Sequence, residues 1–78
     1  MNHKLKLSLR EIADVTGESL PLIHDAISAG HLRSFLVGRR RFAKPAAVQA
    51  WIDYLEKQSD AGRPVKYRAR PIERRAQV

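Results

Sequence analysis

Arg39, Arg40 and Arg41 stand consecutively in the stretch Leu36-Val37-Gly38-Arg39-Arg40-Arg41-Phe42. A guanidinium keeps its charge at physiological pH and presents a planar fork of donors, so its chemistry is the recognition of phosphate or carboxylate oxygens. The residues from Leu32 to Val37 are β-branched and aromatic enough for a strand. Gly38-Arg39 permits a tight turn, and Arg40 to Ala43 returns. A hairpin tipped with arginines makes mechanical sense against an anionic surface, and nucleic acid is the natural candidate. Side chains alternate along a strand, so the three cannot all point one way. Arg39 and Arg40 at the tip are best placed to hold phosphate or to enter a narrow minor groove, whose concentrated negative potential draws arginine in. Arg41 is placed equally well for solvent.

No other constellation carries a reaction. His3, His24 and His31 lack a metal-ligand spacing, and without cysteine there is neither a disulfide framework nor a thiolate site. No glycine-rich phosphate loop and no Ser or Thr nucleophile motif occurs. A binding protein with no enzymatic activity, no cofactor and no metal is therefore expected.

The charge is segregated. Of the net +7, residues 1–30 carry −1, residues 31–44 carry +5, residues 45–58 carry −1 and residues 59–78 carry +4. A merely solvated surface would scatter its cations, so the hairpin and tail are read as facing an anionic partner. Seventy-eight residues allow one small domain. No signal peptide is recognisable and no apolar run reaches a membrane span, so a cytoplasmic chain is expected.

Positioning of the arginines falls to three helical patterns. Ser8 is an N-cap with Glu11 three positions on, a capping box, and Leu9, Ile12, Ala13 and Thr16 then share one face. Gly17 ends that helix. Ser19 caps a second helix with Pro21 in its first turn, and Leu20, Ile23, Ala26 and Ile27 face the core until Gly30 stops it. Pro45 opens a third helix, with Val48, Trp51, Ile52 and Leu55 on its apolar face and Trp51 packed in the core. Lys44 opposes the dipole at that helix start, which is explained if a phosphate sits there on Lys44 and the free backbone N–H groups, a solvated lysine being the alternative. The order predicts a mainly α fold with a small β-hairpin, a winged helix-turn-helix. It divides the chain into a domain over 1–58 and a basic tail over 59–78, expected to be disordered in the free protein with only Val65, Tyr67 and Ile72 as apolar grip. In the tail, Gly62-Arg63-Pro64 weakly resembles the core of an AT-hook, although Ala61 stands where that motif has arginine. A nonspecific basic arm of Arg63, Lys66, Arg68 and Arg70 is the preferred reading.

Residues 7–55 resemble the excisionase family of small DNA-binding proteins, whose domain is similar to that of MerR-like regulators. The resemblance lies in Leu9, Glu11, Ile12 and Ala13, in Gly17 and Ser19, in Ile23, Ile27, Gly30 and Leu32, in Val37-Gly38-Arg39-Arg40, and in Ala50-Trp51-Ile52. It implies a recombination directionality factor of a phage or mobile element, or a related transcription regulator. Such a protein inserts its second helix in the major groove, loads neighbouring protomers side by side, bends the duplex and works with a tyrosine or serine recombinase. A basic module for RNA or an acidic protein is the reading from another class. The exposed face of the second helix, with Ser19, Pro21, Leu22, His24, Asp25 and Ser28, carries no guanine-reading arginine. Asp25 can accept from cytosine, and Pro21 and Leu22 can touch thymine methyls or a neighbouring protein, Leu22 being equally well placed as peripheral core. Arg33 joins Arg39, Arg40, Arg41 and Lys44 as candidate DNA ligands.

Overall fold

The computed structural model describes residues 4–67. Three helices and a three-stranded antiparallel sheet follow in the order β1 (Leu7–Ser8), α1 (Leu9–Thr16), α2 (Leu20–Ser28), β2 (Phe35–Val37), β3 (Arg40–Ala43) and α3 (Pro45–Asp60). The domain is mainly helical, and no helix among the described residues is long and apolar enough to cross a membrane.

Local chemistry sets the helix ends. Glu11 N–H donates to Ser8 Oγ at 3.2 Å while Ser8 N–H donates to Glu11 Oε1 at 2.8 Å, the reciprocal capping box that opens α1. Gly17 closes it with φ 77°, a left-handed conformation that glycine reaches without a Cβ penalty. Thr16 braces the same corner by donating to Ile12 O at 2.7 Å and accepting from Glu18 N–H at 3.3 Å. Ser19 then accepts from Leu22 N–H and starts α2 after a three-residue connection.

The sheet order is β1-β3-β2. Val37 pairs with Arg40 across Gly38-Arg39. Gly38 alone has positive φ there, at 63°, which is the pattern of a type II′ hairpin turn. Two boundaries differ from the sequence expectation. The strand expected from Leu32 begins at Phe35, because Leu32 is drawn into the core at 1% exposure, leaving Arg33 and Ser34 as a connection. The basic start contributes β1, whose Leu7 pairs with Ala43 and Ser8 with Phe42.

Ile12, Ile23, Ala26, Leu32, Ala43, Val48 and Trp51 form the core, with Trp51 its largest fully buried side chain. Phe42 points to the other face of the sheet, where Phe35 lies 6.2 Å away and Lys6 Nζ and the Arg40 guanidinium sit 4.7 and 5.3 Å from its ring.

The boundary expected between 58 and 59 is corrected for the residues described. α3 runs through Asp60, and the chain then turns back. Tyr67 packs against the core, and its hydroxyl oxygen accepts from Trp51 Nε1 at 3.0 Å and lies 2.9 Å from His31 Nδ1. The reason is an unmet donor. A buried indole N–H needs a partner, and Tyr67 supplies it. Residues 68–78, including Arg68, Arg70 and Ile72, lie outside the described residues.

Candidate nucleic-acid interface

The N-terminus of α1, the exposed side of α2 and the return strand of the hairpin border an open cleft of about 390 Å³ lined by Ser8, Leu9, Arg10, Leu20, His24, Arg40 and Arg41. Each element has a local reason to be there. The capping box fixes the first turn of α1 and thus Arg10. The Gly17 corner and Ser19 cap set the direction of α2. The two-residue turn fixes the register of Arg40 and Arg41.

The cleft is cationic. Arg10 and Arg40 are exposed, and no ion pair binds either among the described residues. The Phe42 ring beneath the Arg40 guanidinium holds it by cation–π attraction and so restricts its orientations. Arg41 is half-buried and donates from Nη1 to Ser34 Oγ at 2.6 Å, an anchored arginine beside two freer ones. Arg39 occupies the exposed turn itself. The whole can grip phosphate oxygens along a strip running from α1 to the hairpin tip.

The candidate residues do not all gather there. His24 and Ser28 are exposed on α2, and His24 reaches the cleft. Pro21 is exposed in the first turn. Ser19 spends its oxygen on the cap of α2. Of the two readings of Leu22, the structure agrees with peripheral core: it is half-buried, packs against the core and borders a pocket with Leu55, Pro64, Val65 and Tyr67. Asp25 is half-buried on α2, and its charge is one of the lesser contributions that raise the Tyr67 phenol.

Lys44 and Arg33 line a separate groove with Phe35 and α3. The phosphate seat expected at the start of α3 is reduced to one amide. Pro45 has no N–H, and those of Ala47 and Val48 donate to Lys44 O, which leaves Ala46. Arg63 and Lys66 are exposed on the returning segment, Lys66 beside Glu18.

Sequence reasoning did not include Arg10, which the structure brings to the cleft. Its only signal is a position in the first turn of α1, off the apolar face and next to the cap. Among the described residues no group of three His, Cys, Asp or Glu side chains is arranged to hold a metal ion.

Among the described residues, two groups have displaced titrations. Lys4 beside Glu11, helped by the Ser8 N–H, holds the Glu11 carboxyl down from 4.5 to about 2. Burial raises the Tyr67 phenol above its usual 10, against the lowering effect of the Trp51 N–H.

Comparison of the chain with protein-family models, with curated proteins and with solved structures found no match.

Proposed function

We propose that the chain is a winged helix-turn-helix protein that binds double-stranded DNA without catalysis. In this reading α2 faces the major groove and the hairpin of β2 and β3 reaches the neighbouring minor groove or backbone. One observation carries it: Arg10, His24, Arg40 and Arg41, from three separate elements, converge on a single cleft beside the exposed Arg39. Phosphate contacts of this kind supply affinity and fix orientation, while sequence must be read elsewhere.

The exposed side of α2 offers His24 and Ser28 and no arginine or asparagine. Direct base readout is correspondingly thin. Specificity then comes from the shape and deformability of the duplex and from several protomers on adjacent sites. That is the behaviour implied by the resemblance to excisionases. We therefore read the chain as a recombination directionality factor, which bends attachment-site DNA and directs a tyrosine or serine integrase toward excision in the cytoplasm of a bacterial or phage-infected cell.

The test is a gel-shift titration on duplex DNA. Replacing Arg39 and Arg40 together with alanine should weaken binding by about 1–3 kcal/mol. Raising salt from about 50 to about 200 mM should cost tenfold or more in affinity, because each neutralised phosphate releases counterions. Unchanged binding of the double variant contradicts the assignment. Equal affinity for RNA and duplex DNA would instead favour a general basic module. A single non-cooperative complex on unbent DNA would favour a small transcription regulator of the same fold.

A further inference from the structure

We propose that the groove between the start of β2 and the first turns of α3 docks an acidic segment of a protein partner, one presenting a bulky apolar side chain between carboxylates. The groove encloses about 420 Å³ and is lined by Arg33, Ser34, Phe35, Lys44, Ala46, Ala47 and Ala50. It shares no residue with the Arg10–His24–Arg40 cleft, so the inference goes beyond the DNA reading and stands apart from it.

The floor is apolar and unfinished. Phe35, in the groove, is 37% exposed, and Val37, two positions on along the same face of β2, is 53% exposed. Two exposed apolar side chains on one face of the strand are a surface that association can cover. The strand order makes β2 an edge, with no strand on its outer side among the described residues. An edge of this kind is a template for an added extended segment, whose main chain supplies hydrogen bonds and whose alternate side chains enter neighbouring pockets.

The rim decides the chemistry of the occupant. Arg33 and Lys44 are exposed, and neither has a carboxylate partner among the described residues. Two unpaired cations bordering an apolar floor complement carboxylates flanking an apolar side chain. Duplex DNA would satisfy the cations and leave the Phe35 and alanine floor without apolar contact. An acidic peptide with one large apolar residue satisfies both.

The test uses the full chain labelled with ¹⁵N and, as probe, a synthetic eight-residue peptide with an adjacent leucine and phenylalanine between aspartates. Saturable shifts should centre on Ser34, Phe35, Ala46, Ala47 and Ala50. The double variant R33E/K44E should weaken binding about tenfold or more and should prefer the same peptide with lysines in place of the aspartates. Both side chains are exposed, so its thermal melt should match that of the parent. The proposal is overturned by the absence of saturable shifts, or by shifts at Arg10, His24 and Arg40 instead. It is overturned equally if a DNA duplex gives the same groove shifts. Concentration-dependent groove shifts in the protein alone would name a second copy as occupant, through exposed Val15 beside Asp14, and would overturn the stated one. Because the DNA reading is judged on Arg39 and Arg40, failure of one inference is distinguishable from failure of the other.

Discussion

Tyr67 and Glu11 show how single residues fix this fold. Trp51 has no exposed surface, and among the described residues its N–H bonds Tyr67, whose hydroxyl in turn reaches His31. Tyr67→Phe should destabilise the domain by about 1 kcal/mol, the cost of orphaning one buried donor, seen as a fall of several degrees in thermal unfolding. The raised phenol gives a second readout. A folded-state value above 10 means that the stabilisation is present below pH 10 and lost as pH rises through the folded value. An absorbance titration should therefore show one tyrosinate appearing late, and Tyr67→Phe should remove that step. Glu11 acts with the opposite sign. Its carboxyl is held down to about 2, so its contribution is complete above 4.5 and lost as pH falls toward 2. Melting curves of Glu11→Gln should converge on those of the parent across that window, and a constant gap would remove Lys4 and Ser8 as the cause.

At the scale of elements, legibility followed locality. The capping box of Ser8 and Glu11, the Gly17 stop, the Ser19 cap and the hairpin turn at Gly38 involve residues within a few positions of each other, and the sequence alone announced them. β1 could not be read that way. A two-residue strand has no alternation to detect, and its partners Phe42 and Ala43 lie far along the chain. The return of residues 61–67 was hidden for the same reason, since a lone Tyr67 beyond Gly62 and Pro64 has no period. The candidate site divides likewise. Arg39 and Arg40 were legible from the hairpin, whereas Arg10 joined them only once α1 had packed against the sheet, and the core side of Leu22 emerged only with the packing of α2. Truncation after Ser59 should therefore lower stability by about 1–2 kcal/mol, through loss of the Tyr67 bond and exposure of Leu22 and Leu55. Truncation after Tyr67, which keeps the returning segment, should retain this contribution. Equal melts for the two truncations would show that the returning segment adds nothing to the fold.

At the scale of the whole molecule, the surface separates two kinds of cation. Arg10, Arg39, Arg40 and Arg41 lie along the cleft and hairpin tip, while Arg33 and Lys44 border an apolar groove elsewhere. On the two proposals, this separation would give a small domain two faces, one for phosphates and one for a protein segment, joined by the Arg41–Ser34 hydrogen bond. It also makes the DNA reading sharper than an appeal to net charge, since a protein at +7 would bind any polyanion weakly through its tail. The measurement that tests this most directly is a residue-resolved titration of the ¹⁵N-labelled chain with a DNA duplex at about physiological salt. Saturating shifts at Arg10, His24, Ser28, Arg39 and Arg40, with the groove of Arg33 and Lys44 unmoved, are the predicted result. Shifts confined to residues beyond Asp60, or no saturation at all, would contradict it.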